Sequence, residues 1–502
     1  MKAEIERWEG KDGYARYLDW LGEAHDHYEI SVEQVLLRNF TSLWSMFRPE
    51  FLRHLLRLHP FESIWTRASK YFWTERLRRV FTFGSMYMGM SPFDAPGTYS
   101  LLQYTELAEG IWYPVGGFHR VVEALVEIAK SEGTDVRLGC AVQEILLNED
   151  GSQAKGVRLA NGEVLEADVV VNNSDLAYAY SNLLPQKHAG PYAKSLGERP
   201  ARCSSISFYW GLSQQVPELE AHNIFLADEY RQSFDSIFKE HLIPDQPSFY
   251  VNVPSRVDPS AAPQGMDSVV VLVPVGHLME DSDSTTKSPP TTNGHVSDVS
   301  SPNKPGITPT LTQDWPAMIA LSRKTILATI AARTGVDLTP LITVEQTNDP
   351  ASWRSRFNLD RGAILGLSHS FFNVLCFRPS TRARRPAAFD KVLPSGPLGT
   401  VGQVLGDSVR SFKGRNIRGL YMVGASAHPG TGVPICLAGG RLVAEQVLED
   451  LSLTVPWKQQ VKAETPGTLD KAERPLWLDS GEQWIAILCV LVMVLLYLIF
   501  MS

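Results

Sequence analysis

Residues 421–440, YMVGASAHPGTGVPICLAGG, are a stretch whose residue types and spacing could do chemistry. An apolar run reaches Gly424 and is followed by the small residues Ala425, Ser426 and Ala427. Gly430 and Gly432 then sit inside HPGTGVP, and Pro434 suits the first turn of a helix, where no N–H is needed. A helix that starts there leaves backbone N–H groups free and carries a partial positive charge at its beginning. Small residues around such a start let a planar or anionic group approach the backbone. The spacing predicts a strand–turn–helix junction against which a cofactor-sized object lies. Tight helix–strand packing alone explains Gly439 and Gly440 but leaves HPGTG without a reason.

Other chemistry-bearing residues form no second centre. His428 is placed to be a base or to be a structural histidine that holds the loop. His25, His27, His54 and His59 fit exposed or capping roles better than metal binding, and no Ser-His-Asp pattern emerges. Cys140, Cys203, Cys376, Cys436 and Cys489 are scattered without a C-x-x-C pair, so neither a zinc site nor a redox dithiol is indicated. The formal net charge of -8 argues against a nucleic-acid partner.

The elements that must position the junction are legible from periodicity. Residues 1 to about 80 carry apolar side chains at helical spacing, interrupted at Pro49, with many aromatics. Those aromatics read either as core or as an apolar surface that meets membrane or a greasy ligand. Residues 111–131 read as a turn and an amphipathic helix, with Val121, Val122, Leu125, Val126 and Ala129 on one side and Gly133 as its stop. DVRLG and AVQEILLNED read as strands. GVRLANGEVLEAD is a hairpin on an Asn161-Gly162 turn, and VVVNN is a strand buried on both faces. Residues 203–275 supply three β-rich runs for a second sheet. Residues 280–310 are polar and read as a disordered insertion. A helix and a strand follow, and residues 378–418 lack periodicity. GLYMVG and ICLAGGRLVAEQVLEDL close this part as strand and helix. At the far end, WIAILCVLVMVLLYLIFM, residues 484–501, is eighteen residues without a charge. As a helix it would be about 27 Å long, which matches the hydrocarbon thickness of a bilayer, and it begins with the interfacial residue type Trp484. It reads as a membrane anchor that leaves the bulk of the chain cytosolic, with the endoplasmic reticulum the default membrane. In that orientation the sequons at Asn39 and Asn172 stay unmodified.

Three segments carry a family resemblance. GLYMVGASAHPGTGVPICLAGGRLVAEQVLEDL is similar to the C-terminal signature of the bacterial and fungal carotenoid (phytoene) desaturases. IWYPVGGFHRVVEALVEIAKSEGTDVRLGCAVQEI with GVRLANGEVLEADVVVNNSD resembles the central flavin-domain segment of that family. NLDRGAILGLSHSFFNVLCFRP is similar to its late substrate-domain stretch. The resemblance implies an α/β fold of the FAD-dependent amine-oxidase type. That means a Rossmann-type flavin domain, incomplete here, a mixed-sheet and helical substrate domain, and a C-terminal transmembrane helix. It divides the chain into a helical membrane- or substrate-associated region (1–110), a flavin-domain segment (111–180), a substrate domain (181–377), an irregular insertion (378–418), a second flavin-domain segment (419–452) and the anchor (484–501).

The same resemblance implies FAD as cofactor and a lipid-soluble carotenoid as substrate, dehydrogenated from phytoene toward lycopene or a didehydrolycopene by hydride transfer to flavin. Membrane lipid is an implied partner, and oxygen or a quinone the electron acceptor. It implies Val142 at the adenine, Gly424 and Ala425 near the diphosphate and ribityl chain, and Gly430, Gly432, Val433 and Pro434 at the isoalloxazine. It assigns no catalytic residue. Two departures accompany it. The family's opening strand, G-x-G-x-x-G turn and helix, which hold the FAD pyrophosphate, are not found, so the chain reads as N-terminally truncated. Residues 380–412 interrupt what the family joins by a shorter link. Alternative readings are a carotenoid isomerase, a diapophytoene desaturase, or an inactive membrane-anchored fragment.

Overall fold

The computed structural model describes residues 1–458, apart from residues 41–42, 47, 198, 200, 280–312, 370–372, 376–377 and 385–415. The expected insertion at 280–310, most of the aperiodic stretch at 378–418 and the apolar run at 484–501 lie outside the described residues. Among those described, no helix is long and apolar enough to cross a membrane.

The described part of the first 82 residues carries the helices α1 (Lys2–Glu9), α2 (Gly13–Ser31), α3 (Pro49–Leu55), α4 (Ile64–Tyr71) and α5 (Glu75–Thr82). Pro49 opens α3 rather than breaking a continuous helix, as its missing N–H permits. Trp20, Phe72 and Phe81 are buried together, Phe72 stacking on Phe81 at 4.4 Å, so these aromatics are core. The Glu9 carboxylate accepts from the backbone N–H groups of Trp73 and Thr74, each at 2.8 Å, which ties α1 to the α4–α5 junction.

α6 (His119–Ser131) forms where the apolar spacing predicts it, but none of its residues is buried. Val122, Leu125 and Ile128 are about half exposed or more. The adjoining DVRLG is not a strand, which differs from the sequence expectation. A strand needs a neighbour for its ladder, and none lies beside it among the described residues. β1 (Val142–Leu147), β2 (Ala154–Leu159) and β3 (Val164–Glu166) make a three-stranded antiparallel sheet, with the expected turn at Gly162 (φ +90°). β4 (Val170–Asn172) follows. It is half covered rather than buried on both faces, since Val171 is 49% exposed.

After α7 (Gln186–Gly197) comes the larger sheet: β5 (Ser204–Leu212), β6 (His222–Phe225), α8 (Tyr230–Phe238), β7 (Phe249–Asn252), β8 (Asp267–Val275), α9 (Trp315–Thr334), β9 (Ile342–Asn348) and α10 (Pro350–Phe357). Its strand order is β6-β7-β8-β5-β9, antiparallel throughout. Alternation along β8 explains its two faces. Val269, Val271, Val273 and Val275 are buried in a core shared with Ile326, Leu327 and Ile330 of α9, while Leu272 and Pro274 point the other way. α9 starts on Asp314, whose carboxylate accepts from the Ala317 N–H at 3.1 Å, and stops at Gly335 (φ +82°).

β10 (Arg382–Arg384), β11 (Asn416–Met422) and α11 (Val433–Asp450) complete the described fold. β10 shows that the stretch without sequence periodicity contains a short strand, antiparallel to β11. On its other side β11 runs parallel to β4, with Leu420, Tyr421 and Met422 opposite Val170, Val171 and Asn172. Two segments some 250 residues apart thus form a parallel pair.

Candidate active site

The carboxyl ends of β4 and β11 open side by side, the place where α/β sheets with parallel strands bind ligands. The Val423 N–H donates to the Asn172 carbonyl at 3.0 Å, and the Asn173 side-chain amide donates to the Val423 carbonyl at 3.2 Å. Past these bonds the two chains diverge around a crevice of about 180 Å³ lined by Asn173, Asp175, Gly424, Ala425, Ser426 and Cys436, among others. Asp175 is pushed above its ordinary value, first by burial, against the N–H bonds it accepts from Tyr178 and Ala177.

From the crevice the backbone continues as the predicted junction. Gly424, Gly430 and Gly432 all have positive φ (+118°, +142° and +108°), a conformation that L side chains rarely adopt. Gly430 is also packed: a Cβ there would lie 2.3 Å from Nε2 of His369. That same nitrogen accepts the Thr431 N–H at 3.1 Å, which fixes the loop before α11. Burial, and then the charges of Arg202 and Arg378, hold His369 well below the usual histidine range, so it is neutral. The first intrahelical bond of α11 runs from the Cys436 N–H to the Gly432 carbonyl at 2.8 Å, and no side chain caps the helix. Gly432, Val433 and Pro434 are exposed. At residues 432–434 the junction therefore presents bare backbone at a helix start, whereas the His369 ring fills the space beside Gly430.

His428 is buried and held by its neighbours. Its Nε2–H donates to the Arg38 carbonyl at 2.8 Å, its ring packs edge-on to Phe40, and burial pushes it down to about 4. Of the residues expected to hold cofactor, Gly424 and Ala425 line the crevice, and Gly430, Gly432, Val433 and Pro434 continue from it in one run. Val142 stands apart: it opens β1 in the separate antiparallel sheet, and the crevice lining does not include it.

A larger cavity adjoins. It measures about 670 Å³, and its floor is the open face of the large sheet, formed by Ser205, Ile224, Tyr250, Leu272 and Pro274. Phe83, Met86 and Leu107 are among the residues that cover it, and Ile364 lines both this cavity and the crevice. Its lining is mostly apolar. Among the polar groups, burial raises Glu106 above the ordinary carboxylate range, against the hydrogen bond from Tyr87. Sequence reasoning missed this cavity because its walls come from seven separate segments. His369, Arg202 and Arg378 were missed for the same reason, and no local pattern marks them.

Glu23, His27 and His59 are the described residues close enough together to resemble a metal site. His27 is fully buried, contrary to the exposed or capping role expected for it. Its two ring nitrogens are taken by the Ser100 hydroxyl at 2.7 Å and the Arg57 carbonyl at 2.8 Å, and Glu23 is ion-paired with Arg67. No lone pair of His27 is left for an ion, so the cluster is a polar core.

The donor set fits one end of a flavin. A crevice at parallel strand ends, three positive-φ glycines and an uncapped, exposed helix start suit the planar ring and its anionic edge. The sequence has no G-x-G-x-x-G turn to hold a diphosphate.

Comparisons with known proteins bear on the family of the chain. Residues 52–287 match the family of flavin containing amine oxidoreductases. A phytoene desaturase of Cercospora nicotianae is 69% identical over 98% of this chain and 80% of its own length. One of Fusarium fujikuroi is 54% identical over 96% of this chain and 77% of its own. A zeta-carotene-forming phytoene desaturase of Myxococcus xanthus is 34% identical over 89% and 74%. The chain has the amine-oxidase-like fold of FAD-dependent oxidoreductases and belongs to the carotenoid (phytoene) desaturase family.

Proposed function

We propose that this chain desaturates phytoene in carotenoid biosynthesis, toward lycopene or a didehydrolycopene. The observation that carries the reading is the apolar cavity of about 670 Å³ that shares the Ile364 wall with the glycine-lined crevice. Hydrocarbon offers no polar handle, so shape and apolar area must orient it, and the open face of the large sheet supplies both. Gly424, Ala425, Gly430, Gly432, Val433 and Pro434 would hold FAD, which supplies the hydride acceptor. Through the Thr431 N–H, His369 keeps in place the junction that would hold that acceptor. The apolar lining excludes water from the reacting carbons.

The test is coexpression with enzymes that form phytoene. The expected result is a coloured polyene whose absorption maximum reports the number of double bonds added, together with flavin absorbance in the purified chain. Unchanged phytoene beside a flavin-loaded protein refutes the substrate assignment, and a product with a shorter carbon skeleton assigns a diapophytoene-type substrate instead.

We also propose that residues 484–501 anchor the chain in a membrane, the endoplasmic reticulum by default, with its bulk in the cytosol and oxygen or a quinone as electron acceptor. The uncharged eighteen-residue run supports this, as does a substrate that dissolves in lipid. Release of the chain from membranes by alkaline carbonate, or glycosylation at Asn39, would contradict it.

A further inference from the structure

Behind the junction lie two guanidinium groups that have no carboxylate partner among the described residues. Arg378 is 2% exposed and is wrapped in carbonyl oxygens. It donates to Ala427 at 2.9 Å, Ser368 at 3.1 Å, Asn373 at 3.0 Å and Leu367 at 3.5 Å, and also to Ala425. Arg202, equally buried, donates through Nε to the same Leu367 carbonyl at 3.1 Å, and neither of its terminal nitrogens has a hydrogen-bond partner among the described residues. Two cations therefore meet at one carbonyl oxygen.

Among the described residues, no carboxylate is hydrogen-bonded or ion-paired to either of them. The groups of opposite tendency facing Arg202 are Tyr99 and Cys203, and those facing Arg378 are Tyr99 and Cys436. Burial raises all three above their ordinary values, so they are neutral at pH 7. Arg199 adds a further positive charge beside Arg378. Burial, and then the nearby arginine charges, lower Arg378 to about 9, and burial lowers Arg202 to about 10. Buried charges are normally paired, because desolvation is costly. Here the backbone of residues 425–427 lies between Arg378 and the crevice: Arg378 binds the carbonyls of Ala425 and Ala427, and the same residues line the crevice, while Arg202 joins Arg378 at the Leu367 carbonyl.

We infer that Arg202 and Arg378 raise the reduction potential of the bound flavin by stabilising the negative charge it gains with a hydride. The inference rests on the proposed placement of the flavin against residues 424–434. A neutral ring that accepts two electrons and one proton as hydride gains one negative charge. The proton lost from the neighbouring substrate carbon leaves separately, and the electron pair passes on to the acceptor. The arginines touch neither substrate nor the reacting atoms. They are positioning residues, acting through the loop between.

Arg202 is the cleaner probe, because its terminal nitrogens tie down no loop. The experiment compares Arg202→Met and Arg202→Lys in the full chain with flavin bound, reading flavin content, thermal unfolding and midpoint potential. Arg202→Met is expected to keep its flavin and to fold at least as stably as the parent, since it removes an unpaired buried cation. Its preference for the reduced form should fall about tenfold or more, a drop of about 30 mV for a two-electron couple. Arg202→Lys should keep most of the parent potential. A flavin-loaded Arg202→Met protein with the parent potential overturns the inference. If that variant does not fold, Arg202→Gln against Arg202→Lys gives the same comparison. A parent chain that folds yet takes up no flavin overturns the placement, and this inference with it.

Discussion

Gly430→Ala tests the junction at its tightest point. The residue has φ +142°, which costs a non-glycine residue about 1–3 kcal/mol. Its new methyl group would also sit 2.3 Å from Nε2 of His369. That ring cannot retreat cheaply: it is 3% exposed and holds the Thr431 N–H at 3.1 Å. Losing that bond adds about 0.5–1.5 kcal/mol, for a total of about 2–4 kcal/mol. Gly432→Ala is the internal control. Its φ of +108° carries similar strain, but its methyl group would meet nothing closer than Ile435 at 3.6 Å. Urea titrations followed by circular dichroism, with bound flavin read by absorbance, are expected to rank Gly430→Ala as the more costly change. Replacing His369 by Ala in the Gly430→Ala background should recover part of the loss, with a coupling of about 0.5–3 kcal/mol. If Gly430→Ala unfolds at the parent urea concentration, or if the second change recovers nothing, the steric argument is refuted.

Two further outcomes follow from named contacts. His428→Phe keeps ring volume against Phe40 and loses the bond to the Arg38 carbonyl, so it is expected to cost about 1 kcal/mol in a melt. Turnover per bound flavin should be unchanged, and a collapse of turnover with flavin retained would make His428 the base instead. Asp267 has a fully buried side chain and holds Arg256 through two bonds of 2.7 Å, together with the Val216 N–H and the Ser255 hydroxyl. Against burial, which alone would raise it, these partners keep its carboxyl below the ordinary range. Its stabilisation is therefore present at neutral pH and is lost as pH falls through that lowered value. Asp267→Asn should cost about 3 kcal/mol at pH 7, and the gap from the parent should close in acid; a gap independent of pH would show that the ion pair is not its source.

Much of the fold is legible in local pattern. Gly430, Gly432 and Pro434 announce a turn and a helix start because positive φ and a missing N–H are properties of single residues. The Asn161-Gly162 hairpin and the alternation of Val269, Val271, Val273 and Val275 are equally local, since neighbouring side chains point to opposite faces. Amphipathicity was readable in α6 as well, but it states that a face is apolar and not what covers it, and in the described residues α6 buries nothing. DVRLG failed as a strand for a related reason, because strand propensity forms no ladder without a partner. Val142, which the resemblance implies at the adenine, opens an antiparallel sheet and is not among the residues that line the crevice.

Sequence by itself determined the family of this chain, the strand–turn–helix junction and the alternation of its large sheet, since these depend on residues close along the chain. Only tertiary structure decided that β4 pairs with β11, that Ile364 walls both cavity and crevice, and that Arg202 and Arg378 share the Leu367 carbonyl across 165 and 11 residues. The physical reason is range. Steric and hydrogen-bond preferences act within a few residues, whereas the role of a buried charge or an apolar wall is set by whatever distant segment folds against it.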